Sequence, residues 1–327
     1  MAGLARATLA TGAAVLVAGW SGGASPSPFT IEATYTAKSL GLRDPQHLTI
    51  GPNGNLYVTD RSQRVTVISP NGKVIRRWGK PGSGPGEFHF VSGAPNDPNE
   101  INGAVAVGPD GEVYVSDGRS ARVEIFTPRG RFVRQFGSFG NGKGQFLFPF
   151  DLVVDRASNV YVTDDQRATL SKFSPSSKEL WRIDGQTSRD QDLVGHFHLA
   201  SIDAHGRLVI ANDAKGRILY VDRNGHKVDA FGRPAKGSLP ARSRDFPHGA
   251  CEPPTVDARG NTYVNGCAPA PTQVFDRAHR LIAEWRGAPL LVRSPAFGPH
   301  GEVFALYLGR NLAGGGILKL KVTLPGA

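Results

Sequence analysis

The residues of this chain best suited to chemistry form a polar set with both signs of charge. The set comprises Gln46, His47, Glu100, Asn102, Asp151, His198, His248, Glu252 and Arg293, with Phe150 among them. They cluster at or just before the starts of short β-branched or aromatic runs, and those starts recur along the chain. Imidazoles, carboxylates and amides gathered by one rigid frame can hold a small polar ligand or a cation. The competing reading leaves the histidines as rim residues bonded to loops or water. Two cysteines stand apart from this set. Cys251 and Cys267 lie equally far on either side of Arg259, which places them opposite each other across an antiparallel hairpin, where a disulfide fits. The alternative is a thiolate metal pair, which needs more ligands than lie nearby. The sequence has no phosphate loop, Gly-x-Ser-x-Gly elbow or His-Glu-x-x-His motif.

The elements that must position these residues follow from internal repetition. A small turn leading into an apolar strand occurs six times, at Pro52-Asn53-Gly54, Pro109-Asp110-Gly111, Arg156-Ala157-Ser158, Ala204-His205-Gly206, Ala258-Arg259-Gly260 and Pro299-His300-Gly301. One strand precedes each turn (47–50, 104–107, 151–154, 199–202, 255–256 and 294–297) and a second follows it. A third strand comes next, opened by Arg64, Arg122 and Arg217 in three repeats. A fourth ends on Trp78-Gly79, Phe136-Gly137 or Phe231-Gly232, with Trp285 in the matching place. Four short strands and a crossing, six times over, make a six-bladed β-propeller of four-stranded blades. The 41 Gly and 24 Pro agree with an all-β fold rich in turns.

The strand count adds a constraint. The sixth repeat supplies only three strands, whereas residues 29–36 alternate like a strand and have no repeat of their own. Pairing this N-terminal segment onto the last blade as its outer strand closes the ring. A further slot, six residues after the turn, holds Asp60, Asp117, Asp164, Asn212, Gly266 and Tyr307. An Asp that takes hydrogen bonds from the loop and pairs with the nearby Arg would fix the corner between strands, a structural role. Gly82-x-Gly84-x-Gly86 and Gly140-x-Gly142-x-Gly144 recur one blade apart and open no helix, so they are crossings and not nucleotide loops.

The Tyr-Val-Thr-Asp strands, the Arg-Val that follows, the Gly turn and the aromatic-Gly ending together resemble the NHL repeat of secreted bacterial propellers. The likeness covers nearly all of residues 40–327. It implies that first strands line a central channel and that long loops share one face, whose mouth carries His47, Glu100, Asn102, Asp151, His198, His248 and Arg293. Peptidyl-hydroxyglycine lyases are similar in repeat type and hold zinc on histidines at first-strand starts. By that resemblance His198 and His248 are comparable ligands. His47 comes one residue after Gln46, and neighbouring strand positions face opposite ways. Calcium-dependent lactonases imply instead a hard-cation set of Glu100, Asn102 and Asp151.

Residues 1–24 read as a secretory signal, with Arg6 ahead of an apolar stretch and small residues Gly22 and Ala24 at the cleavage position. Residues 25–28 are then a linker, and 29–327 the propeller. Export would favour the Cys251–Cys267 disulfide. The net charge of +10 comes from scattered basic residues. In an exported protein it points away from nucleic acid and towards anionic polymer or an acidic ligand, with solubility as the plainer explanation. The expectation is a secreted monomer without a membrane span, binding a protein, glycan or anionic wall polymer at the channel mouth. A metal-dependent lyase or hydrolase at the same mouth, using zinc or calcium, is the alternative.

Overall fold

A computed structural model describes residues 27–90, 103–212, 215–232, 253–265, 271–285, 291–293, 295–308 and 315–324. They form six antiparallel sheets, one for each repeat. The first blade shows the pattern: Pro45–Ile50, Leu56–Asp60, Arg64–Ile68 and Val74–Trp78 pair in chain order. In the sixth blade the inner strand is split into Leu291–Val292 and Ala296–Phe297, both paired with Val303–Leu308. No helix among the described residues is long and apolar enough to cross a membrane.

The apolar core is divided among the blade junctions. Tyr57, Val65 and Val67 of blade one pack with Val105, Val113 and Phe126 of blade two. Comparable clusters lie at each later junction, and Leu56, Val58 and Ile68 meet Phe304, Leu306 and Ile317 where blade six returns to blade one. The β-branched and aromatic strand residues therefore bury themselves against the next blade.

Turn chemistry fixes where each strand begins. Asp155 accepts from the backbone N–H of Ala157 and Asn159, and its other oxygen takes the Tyr161 hydroxyl at 3.0 Å. Asp257 does the same for Arg259, Asn261 and Tyr263. Blade three, which has Ser158 where the other blades have Gly, still adopts the left-handed conformation there (φ 59°). That is a modest strain for a non-glycine residue.

The ring closes as the strand count requires. Phe29–Thr36 runs antiparallel to Gly316–Val322, from the pair Phe29–Val322 to the pair Thr36–Gly316. Phe29 stacks on Trp285 (4.7 Å between ring centroids) and meets Tyr263 edge-on, so the N-terminal strand also plugs the junction between blades five and six. Tyr35 at the other end donates to the Pro70 carbonyl of blade one. Residues 1–24, expected to be a signal, and Cys251 and Cys267, expected to form a disulfide, lie outside the described residues.

Removing residues 29–38 leaves blade six without its outer strand and opens two junctions at once. The truncated chain is expected to lose its cooperative thermal transition. A single sharp melt, followed by circular dichroism, would show that the seam is dispensable.

Candidate functional site

Inner strands of all six blades line one channel, a cavity of about 750 Å³. Its walls are tied together by a residue type that the sequence repeats without announcing its purpose. Ser116, just before the slot aspartate, donates to the Phe150 carbonyl of the next blade at 2.7 Å and accepts from the Ala104 N–H of its own blade at 2.9 Å. Thr59 likewise donates to the Gly103 carbonyl, Thr163 accepts the Asp151 N–H at 3.0 Å, and Ser201 donates to the Pro254 carbonyl at 3.1 Å. Buried hydroxyls thus satisfy backbone groups on the inner strands that would otherwise lack partners. For Thr59, Ser116 and Thr163 the signal was present as the Thr or Ser of Tyr-Val-Thr-Asp, read there only as strand, whereas Ser201 lies on an inner strand and blade four has Ala211 at the motif position.

The aspartate slot is structural, as its repetition suggests. Asp60 accepts from the N–H groups of Arg43 and Ser62, Asp117 from His89, and Asp164 from Leu147 and Phe148. Each carboxylate therefore seats the incoming crossing or leader segment of its blade. The expected partnership with the strand arginine holds in blade two alone, where Arg122 pairs with Asp117 at 3.1 Å. Arg64 stands exposed at its strand start, and Asp60 is satisfied by backbone donors. In blade four the slot is the uncharged Asn212, which donates to two loop carbonyls, and Arg217 pairs with Asp192 instead.

Gln46, His47, Phe150, Asp151, His198 and Arg293 all line the channel. Strict alternation would turn His47 away from Gln46, and here the structure departs from the expectation. Pairing jumps from Pro45–Asp60 to His47–Thr59, so one extra residue is accommodated in the inner strand. A similar irregularity falls between Pro149 and Leu152 and another between Leu199 and Ser201. Such bulges re-aim side chains and break the two-residue period, which lets neighbours such as Phe150 and Asp151 reach the same cavity. Glu100, Asn102, His248 and Glu252 lie outside the described residues.

The four charged or imidazole groups sit in distinct settings. The His198 Nδ1 lies 3.6 Å from Asp151 Oδ2, and Phe150 meets the His198 ring edge-on. Arg293 donates to Gln46 Oε1 at 3.1 Å, and Gln46 in turn donates to the Asp44 carbonyl. His47 accepts the Val105 N–H on Nδ1 at 3.4 Å, so its neutral ring carries the proton on Nε2. Burial pushes its pKa down, with Asp151 opposing and Arg293 reinforcing that direction. His47 is therefore a neutral donor, Arg293 a fixed cation, and Asp151 with His198 a carboxylate–imidazole pair. A carboxylate beside Nδ1 is the setting that suits His198 to hold a metal through its other nitrogen. His47 as oriented does not suit, because the backbone donor occupies the nitrogen that would need to carry the proton. Among the described residues no group of three or more His, Cys, Asp or Glu is placed to hold a metal.

The Gly-rich crossing into blade two is clamped from beneath. Gly84 donates to Glu87, and Gly86 donates to both oxygens of Glu124. Arg122 bridges Glu124, Asp117 and the carbonyls of Ser83, Gly84 and Glu87. The crossing into blade three repeats the device with Gln145, Glu179 and Arg182.

No family model matches the chain. Among curated proteins, it is 26% identical over 178 residues to the Drosophila melanogaster protein brain tumor, covering 54% of this chain and 16% of that protein. Identity is 33% over 151 residues to peptidylglycine alpha-amidating monooxygenase of Rattus norvegicus (42% of this chain, 14% of that enzyme). It is 27% over 183 residues to NHL repeat-containing protein 3 of Mus musculus (53% of this chain, 50% of that protein). The matched segments thus span half or less of each relative. Among solved structures, a streptogramin B lyase superposes with a TM-score of 0.58 at 12% identity, covering 90% of this chain and 98% of that one. Virginiamycin B lyase from Staphylococcus aureus gives 0.56 at 11% identity, with 88% and 87% covered. At these identities the structures share the fold.

The clamp under the blade-two crossing generates a pH prediction. Burial pushes the Glu124 carboxyl up to about 7; the Arg122 charge opposes this and Asp117 adds to it. A raised folded-state pKa means that the folded chain holds a proton the unfolded chain has released. The contribution is fully present below the unfolded value and is lost as pH rises through about 7. The Glu124→Gln variant lacks this titration. Urea unfolding of both proteins from acid to mildly alkaline pH is expected to show wild type losing about 1–3 kcal/mol relative to the variant. Parallel stability curves would contradict this assignment.

Proposed function

We propose that this chain, an NHL-type six-bladed β-propeller, is a binding module whose channel mouth receives an acidic group of a protein, glycan or anionic polymer. The observation that carries this reading is the convergence of Arg293, His47, Asp151 and His198, from four different blades, in one cavity. Arg293 is held by Gln46 and so is oriented before a ligand arrives. His47 adds a neutral N–H donor, and the cavity is of the size that takes a small molecule or a side chain. The proposal includes export by residues 1–24, which would bring the basic surface to extracellular polyanions.

Substituting Arg293→Gln removes the cation and keeps a hydrogen-bonding side chain. Binding to immobilised poly-L-glutamate at about 0.15 M salt, where distant charges are screened, is expected to weaken at least tenfold. This corresponds to about 1.4 kcal/mol. An unchanged affinity would remove the mouth from the account.

A second reading, a lyase or hydrolase at the same mouth, is favoured by the Asp151–His198 pair, since a carboxylate beside an imidazole sets up general acid–base work. Metal analysis separates the readings. Stoichiometric zinc or calcium, lost in a variant carrying His47→Ala, His198→Ala and His248→Ala, would favour the enzyme. Protein that is metal-free as purified is the outcome expected of the binding module.

A further inference from the structure

A second cavity, of about 230 Å³, opens on the opposite face of the propeller, between blades four and five. Its walls are the turn at Asp203–Arg207, Tyr220, Val256, Gly260, Arg277 and His279. Two guanidinium groups and two imidazoles, those of His205 and His279, face this small space. The acidic groups around it are already committed. Asp203 accepts from the N–H groups of His205 and Arg207 on one oxygen and from Arg207 Nε (2.7 Å) on the other. Asp257 is filled by its own turn and by Tyr263. Asp229 takes the Ala230 N–H on one oxygen, with His279 Nε2 lying 3.5 Å from the other.

Both arginines are oriented before any ligand is present. Arg207 is tied through Nε to Asp203 and lies over the Tyr220 ring, 4.5 Å from its centroid. Arg277 is tied through Nε to the Arg259 carbonyl at 2.6 Å and packs against Gly260, where a Cβ would come within 2.7 Å of it. Anchoring by Nε leaves the paired Nη groups of each fork for another acceptor.

The repeat shows that these residues are departures. Arg207 occupies the position that holds Asn55, Glu112, Asn159, Asn261 and Glu302 in the other blades. His279 adopts φ 59° where Gly72, Gly130 and Gly225 stand in three blades and the smaller Ser177 (φ 67°) in a fourth, and its ring stacks on Phe231 at 4.3 Å. A bulky residue in a left-handed position is unfavourable and calls for a local reason.

We propose that this pocket binds the tetrahedral oxyanion of a phosphate or sulfate group. A carboxylate presents its acceptor sites in one plane, which matches the plane of a single fork. An oxyanion with three or more acceptor oxygens can engage forks arriving from two blades together. The remaining volume suits the free ion or the group that carries it.

Calorimetric titration of the full chain with phenyl phosphate, inorganic phosphate and phenyl sulfate tests this. A dissociation constant on the order of 0.1–1 mM is expected for at least one of them. Arg277→Gln alters an exposed side chain and should weaken binding at least tenfold. Arg207→Lys keeps the charge without the fork and should weaken it about three- to tenfold. Lys178→Gln, an exposed cation on the same face of blade three, should change little. Tighter binding of the esters supports an ester ligand, and equal binding of inorganic phosphate supports the free ion. No binding up to about ten times that range, or equal losses in Arg277→Gln and Lys178→Gln, overturns the proposal.

Discussion

Everything in this protein depends on a strand pairing between the two ends of the chain. A single blade has two faces and can cover neither with its own residues, so each apolar surface must meet the next blade. The six junction clusters make this explicit, since none of them is built from one blade. A row of such wedges always leaves one face bare at each end. Only a ring removes both ends, and only a hydrogen-bonded seam holds the ring against the entropy of opening it. Phe29–Thr36 supplies that seam on Gly316–Val322, and Phe29 fills the last junction with an aromatic ring. The terminal strand is thus the last piece of the core, though it lies farthest from the channel.

Closure has a second consequence, at the axis. Six inner strands brought edge-on to a common channel present backbone groups with no strand beside them. Water can serve some of these, but the buried ones need fixed partners. The hydroxyls of Thr59, Ser116 and Thr163 supply them, and each sits one residue before the side chain that anchors a crossing. Axis and rim are therefore set by adjacent residues of one strand. This coupling gives the mouth a rigid base, from which inner-strand bulges project His47 and Asp151 into the cavity.

How much of this was legible depended on whether the governing interaction repeats. The blade, its turns and the seam were readable because the same residues recur at the same offsets, and because a missing strand at one end matched a spare one at the other. The structural role of Asp60, Asp117 and Asp164 was readable for the same reason. The facing of His47 was not, because it follows from one extra residue absorbed in an inner strand, and a bulge leaves no mark in the pattern of residue types. Nor was the partner of Arg217 legible, since Asp192 reaches it from a loop. The pocket beneath blades four and five was hidden because its walls come from turns far apart in sequence.

Repetition also separates structural positions from positions free to carry function. Where several blades face the same mechanical problem, they keep the same solution: a buried Tyr behind the turn in blades one, two, three and five, a hydroxyl at the axis in the first three, and a carboxylate or amide under the crossing in the first four. At the channel mouth the blades face no common problem, and the corresponding residues are Gln46, Gly103, Phe150, His198 and Arg293. These differ in size, charge and hydrogen-bonding capacity, and no shared packing role would select them. A ligand is asymmetric, so a site for it must break the symmetry of the ring. Arg207 and His279 break the same symmetry on the other face, at positions where the remaining blades agree on smaller residues or on a different charge. On a scaffold made of near-identical units, the departures from the unit are where binding can be specified.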